Sequence, residues 1–381
     1  MEKIIVLGSG MVGSAMAVDL ADHYHVTLTD VDNHALERAK SKCPSLEIIR
    51  LDVSETDMLK KTIGHYDLVI CAVPGYLGFQ TLKTIIESGK HVVDISFFPE
   101  NSLTLDTLAK KKKVTAIVDC GVAPGMHNLI LGYHHERMKI NRSECFVGGL
   151  PKEKNYPFNY KAPFSPVDVI EEYMRPARYV EDGEIVTREP LTDIEMIEIE
   201  KLGTLEAFNS DGLRTLIDTL PDIPNMKEKT LRYPGHVEYI KVLKASGFFS
   251  IEPIKLRGTK IIPLEFTSKI LFKEWMLEEN EAEVTVMRII IRGKNKRHEF
   301  EEIEYNLYDE YAPETQTSSM ARTTGYTATA VANMFLNGLF NERGIIPPEI
   351  IGRDEKCFDY IMQYLEKRNV IYRKSVCRCG D

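Results

Sequence analysis

"KIIVLGSGMVGSAMA", residues 3–17, decides the fold. Its first five residues are rich in Ile and Val, the composition of a strand. Gly8, Gly10 and Gly13 follow at G-x-G-x-x-G spacing, and a helix-like run begins at Met11. The spacing by itself is generic, but here it lies between a strand and a helix. In that setting Gly8 permits the tight turn, Gly10 lets the backbone approach a pyrophosphate, and Gly13 lets the helix pack on the sheet. Free N–H groups at the helix start then face the phosphates. Ser9, Met11 and Val12 therefore join the three glycines as predicted cofactor contacts.

The rhythm continues outward. Short, Val- and Ile-rich runs at 3–8, 25–30, 46–52, 67–73, 91–96 and 114–119 predict six strands. Near-continuous apolarity marks parallel strands covered on both faces. Helical patterns at 11–22, 33–42, 55–63, 76–88 and 102–112 fill the gaps, so a doubly wound sheet follows. Asp30 ends the second strand, 22 residues past Gly8. A carboxylate there accepts hydrogen bonds from the adenosine ribose and repels a 2′-phosphate, which points to NAD rather than NADP. Other contacts are expected at strand carboxyl ends: Asp52 and Val53 near the adenine, Ala72, Val73 and Pro74 near the ribose and pyrophosphate, Asp94 and Ser96 near the nicotinamide.

After Gly125 the β-α alternation stops. Residues 143–151 read as a strand ending in a Gly-Gly turn, and 166–174 as a short helix in an aromatic-rich loop. Strands are predicted within 184–208, and 281–293 pairs with 298–310 as a long antiparallel hairpin. Helices are expected at 318–338, after a Ser cap, and at 347–369. The predicted fold is α/β: a Rossmann-type doubly wound parallel sheet plus a second α+β domain with a mainly antiparallel sheet. The boundaries are 1–125 for the NAD-binding domain, 126–315 for a substrate-binding and dimerisation domain, and 316–381 for C-terminal helices returning to the first.

Composition narrows the functions. Of 381 residues 43% are hydrophobic and 28% charged, with a net charge of −9. A nucleic-acid groove needs a basic face, and the only dense basic run, Lys110 to Lys113, suits a helix end. Seven cysteines lack zinc spacing, and Cys377 and Cys379 sit in a polar tail expected to fray. His134, His135 and Glu136 are adjacent and H-E-x-x-H is absent, so no metal is expected. The strand starting at Lys3 leaves no room for a leader, and no run reaches the ~18 apolar residues of a membrane span. A cytoplasmic protein away from the membrane follows as the expectation.

Matching pieces along nearly the whole chain give a resemblance: "VLGSGMVGSAMA" (6–17), "VVDISFFPEN" (92–101), "VDCGVAPGMHN" (118–128), "VGGLP" (147–151), "SDGLRTL" (210–216), "LRYPGH" (231–236) and "SSMARTTGYTA" (318–328). The chain resembles the saccharopine dehydrogenase-like oxidoreductases, and among them the NAD-dependent L-lysine 6-dehydrogenases. Saccharopine reductases carry an acid where this chain has Ala123 and a cysteine where it has Val147. The resemblance to the lysine branch implies oxidative deamination of the ε-amino group of L-lysine to the 6-semialdehyde, with ammonia released. The alternatives are a saccharopine- or carboxynorspermidine-type reductase that joins an amino acid to a semialdehyde, and a non-catalytic NAD-binding redox sensor. The resemblance also implies at least a homodimer.

Residues 119–128 are then the crossover beside the nicotinamide. Such chemistry needs a neutral amine, an activated water and a substrate clamp. His127, just past the turn, is the first candidate base; Asp94 and Glu100 on the strand-five loop are the alternatives, and Asp119 is placed to hydrogen-bond the amine or to cap the turn. Arg214, Arg232 and Arg322 suit a carboxylate clamp. Asp211 suits the α-ammonium, His236 and Tyr160 are further pocket candidates, and Phe97 is expected to wall the nicotinamide side.

Overall fold

The computed structural model of the protein describes residues 2–278 and 281–378. Strands β1 (Lys3–Leu7), β2 (His25–Asp30), β3 (Glu47–Arg50), β4 (Leu68–Cys71), β5 (His91–Asp94) and β6 (Thr115–Ile117) alternate with helices. These are α1 (Met11–Ala21), α2 (Asn33–Lys42), α3 (Thr56–Ile63), α4 (Gly75–Glu87) and α5 (Asp106–Lys112). All pair in parallel, in the order β6-β5-β4-β1-β2-β3. The run of apolar residues in β1 is explained by its neighbours: Ile4 and Val6 enter one core, Ile5 and Leu7 the other, and none has exposed surface. Each such side chain stabilises the fold by about 1.5–3 kcal/mol.

The second half contains α6 (Met126–His135), β7 (Met138–Pro151), α7 (Pro166–Met174), β8 (Ala177–Glu181), β9 (Glu184–Arg188), β10 (Glu195–Ile199), β11 (Gly203–Asn209), α8 (Leu216–Thr219) and β12 (Met226–Arg232). It continues with α9 (His236–Ala245), β13 (Ile254–Leu256), β14 (Thr259–Ile261), α10 (Pro263–Trp275), β15 (Glu283–Asn295) and β16 (Phe300–Glu310). The chain then runs through α11 (Ser319–Leu336), β17 (Gly344–Ile346), α12 (Pro348–Gly352), α13 (Glu355–Glu366) and β18 (Tyr372–Arg378). The larger sheet runs β10-β11-β12-β7-β15-β16-β18, with β8 beside β12 and β9 beside β8. Among the described residues only β12 and β7 are parallel in it.

Several expectations are corrected. The Gly-Gly pair is no turn: Gly148 and Gly149 lie inside β7, opposite Val286 and Thr285. A Cβ at Gly148 would sit 2.7 Å from the Leu231 carbonyl oxygen, and one at Gly149 2.5 Å from Pro163 Cγ. The glycines are there for close approach. The helix expected at 347–369 is two, broken where Asp354 turns out to cap α13 by accepting from the N–H groups of Lys356 and Cys357. The C-terminal segment is more than helices. β17 adds a seventh parallel strand beside β6, and β18 pairs with β16, placing Cys377 opposite Glu302 rather than in a frayed tail. Cys379 lies outside the described residues. Asp19 on α1 ties the returning helices down, accepting from the Tyr364 hydroxyl at 2.7 Å and pairing with Arg368 at 2.6 Å. No helix among the described residues is long and apolar enough to cross a membrane.

Candidate active site

The three glycines of the first loop differ in surroundings. Gly8 has φ +104°, and a Cβ there would stand 2.4 Å from the Ala72 carbonyl oxygen; one at Gly13 would stand 2.0 Å from that of Gly8. Those two close the turn and seat α1 on the sheet. A Cβ at Gly10 would meet nothing within 4 Å, so this position faces open space at a helix start, where a pyrophosphate fits. Asp30 lies beside it: Oδ2 accepts the Ser9 N–H at 2.7 Å and Oδ1 the Asp32 N–H at 2.9 Å. These residues open one cleft of about 1470 Å³, also lined by Ser9, Met11, Val12, Ala72, Val73, Pro74, Ser96 and Phe97. That volume exceeds the ~300–1,000 Å³ of ordinary ligand sites, leaving room for a dinucleotide and a second molecule. Asp52 and Val53 do not line it. β3 ends at Arg50, and the exposed Asp52 accepts from the N–H and hydroxyl of Ser54 instead.

The far end of the cleft is built by the second sheet. Glu228, Thr230 and Arg232 on β12 line it, as do Val147 to Gly149 on β7, Ser210 to Gly212 after β11, and the turn from Asp119 to Pro124. Asp168 and Glu172 reach it from α7. Five carboxylates thus meet one guanidinium there. Three of the five have arginine partners: Asp119 with Arg214 at 3.1 Å, Asp211 with Arg178 at 3.1 Å, and Glu172 with Arg232 at 3.0 Å. Asp168 accepts the Gly75 N–H, and burial raises its pKa to about 6. Glu228 Oε2 lies 2.9 Å from His127 Nδ1, and its other oxygen packs where Gly212 lacks a side chain.

Several predicted site residues occupy different positions from those expected. His127 is fully buried behind Glu228, with its second ring nitrogen 3.1 Å from the Ser143 hydroxyl. Both nitrogens are occupied, so it cannot itself touch a substrate in the cleft. Asp94 is also fully buried: Oδ1 accepts the Ser96 N–H, Oδ2 meets no hydrogen-bond partner of ordinary geometry among the described residues, and burial raises its pKa to about 7. It caps the end of β5. Arg214 lies behind the wall, paired with Asp119 and donating to the Phe98 carbonyl oxygen. Arg322 points to Asp309, tying α11 to β16. Tyr160 and His236 are buried around Arg232 and Tyr173; burial pulls the His236 pKa down to about 3. Among the clamp candidates only Arg232 lines the cleft, with Asp119, Asp211 and Phe97.

Sequence reasoning missed Glu228, Glu172 and Asp168. A signal existed for the first. In "MKEKTLR" Glu228, Thr230 and Arg232 alternate with Lys227, Lys229 and Leu231, and a strand turns every second residue to one face. Among the described residues, one grouping offers three metal donors, His127, Cys145 and Glu228, within 4.8 Å of one another. The 2.9 Å between His127 and Glu228 is a hydrogen-bond distance.

Comparison with known proteins adds to this geometry. Residues 4–117 match the family model "Saccharopine dehydrogenase NADP binding domain", and 121–371 match "Saccharopine dehydrogenase C-terminal domain". A carboxyaminopropylagmatine dehydrogenase from Synechocystis is 23% identical over 93% of this chain and 94% of its own length. A saccharopine dehydrogenase [NADP(+), L-glutamate-forming] from Pyricularia oryzae is 27% identical over 71% of this chain and 63% of its own. The apo saccharopine dehydrogenase (L-Glu forming) of Saccharomyces cerevisiae superposes with a TM-score of 0.78 over 99% of this chain and 100% of its own, at 22% identity, and shares the fold. These relatives overturn the expected oxidative deamination of the lysine ε-amine. One that matches over nearly its whole length is a carboxyaminopropylagmatine dehydrogenase, and two more are saccharopine dehydrogenases of the L-glutamate-forming kind. Ala123 and Val147 both line the cleft.

Proposed function

The chain belongs to the saccharopine dehydrogenase family, and from that premise we propose that it makes or breaks a secondary amine by hydride transfer. It is an NAD(P)-dependent oxidoreductase of amino-acid-like substrates. In the joining direction a primary amine and an aldehyde condense to an imine with loss of water. A hydride from the reduced nicotinamide then adds to the imine carbon. The reverse direction oxidises the secondary amine and adds water across the imine.

The observation that carries this reading is the single cleft, which runs from the Gly10 loop to a chamber walled by the second sheet. A joining reaction needs such a chamber, because two organic partners must lie in line with the cofactor ring. With Asp119, Asp211 and Glu172 each paired to an arginine, Asp168 and Glu228 remain in the chamber and favour an amine partner that carries further positive charge, such as a diamine or a guanidino-amine. Carboxyaminopropylagmatine has that character, and the Synechocystis relative bears its name. Arg232 lines the cleft already paired with Glu172 at 3.0 Å, so a carboxylate on the other partner would share it with that acid. For the cofactor, Asp30 favours NAD over NADP.

The test is NAD(P)H consumption with a matrix of amines (agmatine, putrescine, lysine, glutamate) and aldehydes with and without a carboxylate, with products read by mass spectrometry. A product whose mass is amine plus aldehyde minus water plus two hydrogens is expected, formed best from the diamine or guanidino-amine. Ammonia released from a lone amine, with no joined product from any pair, would refute the reading.

A further inference from the structure

We propose that Glu228 takes and returns the proton of the substrate nitrogen, and that His127, from behind the wall, is its positioning residue. This rests on the reading of the cleft as a site of carbon–nitrogen oxidation and reduction.

Elimination within the chamber comes first. Asp119, Asp211 and Glu172 are each held by an arginine, and a carboxylate so held is a poor proton acceptor. Among the described residues, Asp168 and Glu228 pair with no lysine or arginine. Asp168 is turned to the backbone of Gly75, at the start of α4. Glu228 stands on β12 beside Thr230 and Arg232, where the second sheet closes the cleft.

The support behind Glu228 is continuous. Ser143 Oγ is 3.1 Å from His127 Nε2, and His127 Nδ1 is 2.9 Å from Glu228 Oε2. One assignment satisfies all three groups: the hydroxyl donates to Nε2, and the ring proton sits on Nδ1 and donates to the carboxylate. Oε2 is thereby fixed and Oε1 stays beside Gly212, where a Cβ would lie 1.7 Å from it. Gly212 and Glu228 both line the cleft, so Oε1 is the oxygen that His127 leaves to meet a substrate there. The ionisable groups facing Glu228 are His127 from α6, Cys145 from β7, Glu172 from α7, Tyr179 from β8 and Arg232 on its own strand.

The proton balance is simple. In the oxidative direction the secondary ammonium passes one proton to Glu228 Oε1 and becomes the neutral amine. The lone pair on nitrogen then forms the C=N bond as the adjacent carbon loses hydride to the nicotinamide. In the joining direction hydride enters the iminium carbon, and the protonated Glu228 returns its proton to the amine.

The experiment measures the pH profile of kcat/KM in the oxidative direction for wild type, Glu228→Gln, Asp168→Asn, His127→Leu and Ser143→Ala, with cofactor affinity measured separately. E228Q is expected to lower kcat at least 100-fold and to lose the acid limb, with cofactor Kd unchanged. His127→Leu removes a donor to the carboxylate, so the limb moves to higher pH. S143A moves it the same way by less, and stands in if H127L does not fold. A structural defect alone would lower rates without moving the limb. In 15N-histidine spectra the His127 ring proton is expected on Nδ1 and shifted by Glu228→Gln, a readout independent of turnover. The proposal is overturned if E228Q keeps the acid limb, if D168N alone loses it, or if neither H127L nor S143A moves it. It also falls if stoichiometric zinc co-purifies and is lost in E228Q. Wild type that turns over no amine–aldehyde pair defeats the parent reading, and the role of Glu228 with it; activity with an unmoved limb defeats only the present proposal.

Discussion

Charge at Asp30 is expected to set the choice between the two nicotinamide cofactors. Its carboxylate is fixed by the N–H groups of Ser9 and Asp32 at 2.7 and 2.9 Å, at the ribose end of the cleft. A 2′-phosphate about 4 Å away would be repelled by ~4 kcal/mol per unit charge at an effective dielectric of about 20. Asp30 is partly exposed, and salt screens such pairs, so about half of that, ~2 kcal/mol, should survive. This corresponds to roughly 30-fold in the NADH to NADPH ratio of kcat/KM. Asp30→Asn should collapse the ratio by that factor. It leaves one of the two N–H groups without its acceptor, at a cost of about 1 kcal/mol, but that loss falls on both cofactors alike. Arg38 and Lys42 line the same end and would then attract the phosphate. The assay is initial rates with both reduced cofactors at low and moderate ionic strength. A wild type that prefers NADPH, or a ratio in D30N within threefold of wild type, would refute the reasoning. A ratio insensitive to salt would show that charge is not its origin.

Further outcomes test other parts of the account. Gly10→Ala should leave Tm within a degree or two, since a Cβ there meets nothing, yet weaken cofactor binding tenfold or more by calorimetry; Gly13→Ala should unfold at markedly lower temperature. Arg214→Met leaves Asp119 buried without its partner and should lose about 3–5 kcal/mol of stability in urea titrations. The pKa of Asp94 is raised from 3.8 in the unfolded chain to about 7 in the fold. Its contribution to stability is therefore complete below pH 4 and declines as pH rises to about 7. Chemical denaturation at pH 6 and pH 8 should show the protein weaker at pH 8, and Asp94→Asn should flatten that slope; an unchanged slope would remove Asp94 as its source.

The first sheet was legible because each strand carries its evidence locally: apolar runs, glycine turns and helical spacing recur every few residues. β17 has three residues and no pattern of its own, and only its long-range pairing with β6 makes it a strand. Gly148 and Gly149 misled because a Gly-Gly pair usually marks a turn, whereas here Leu231 and Pro163 demand the missing side chains. The cofactor loop was readable for the same local reason. The chamber was not. Whether His127 faces a substrate or a buried carboxylate depends on where β12 lies, 101 residues away. Arg214, Arg232 and Arg322 look alike in sequence and differ only in the acids that reach them. Alternation in "MKEKTLR" held the usable clue.

The last 63 residues belong to both halves, giving β17 to one sheet and β18 to the other. A fragment ending at Gly125 would therefore keep its glycine loop but leave β6 as a bare edge and uncover the surface of α1 that Arg368 and Tyr364 fasten. Bare edges and uncovered apolar faces recruit other chains. Dissecting the molecule into separately expressed halves is accordingly expected to yield aggregates, and a working nucleotide module would have to carry its distant final segment with it, either co-expressed or stitched on by circular permutation.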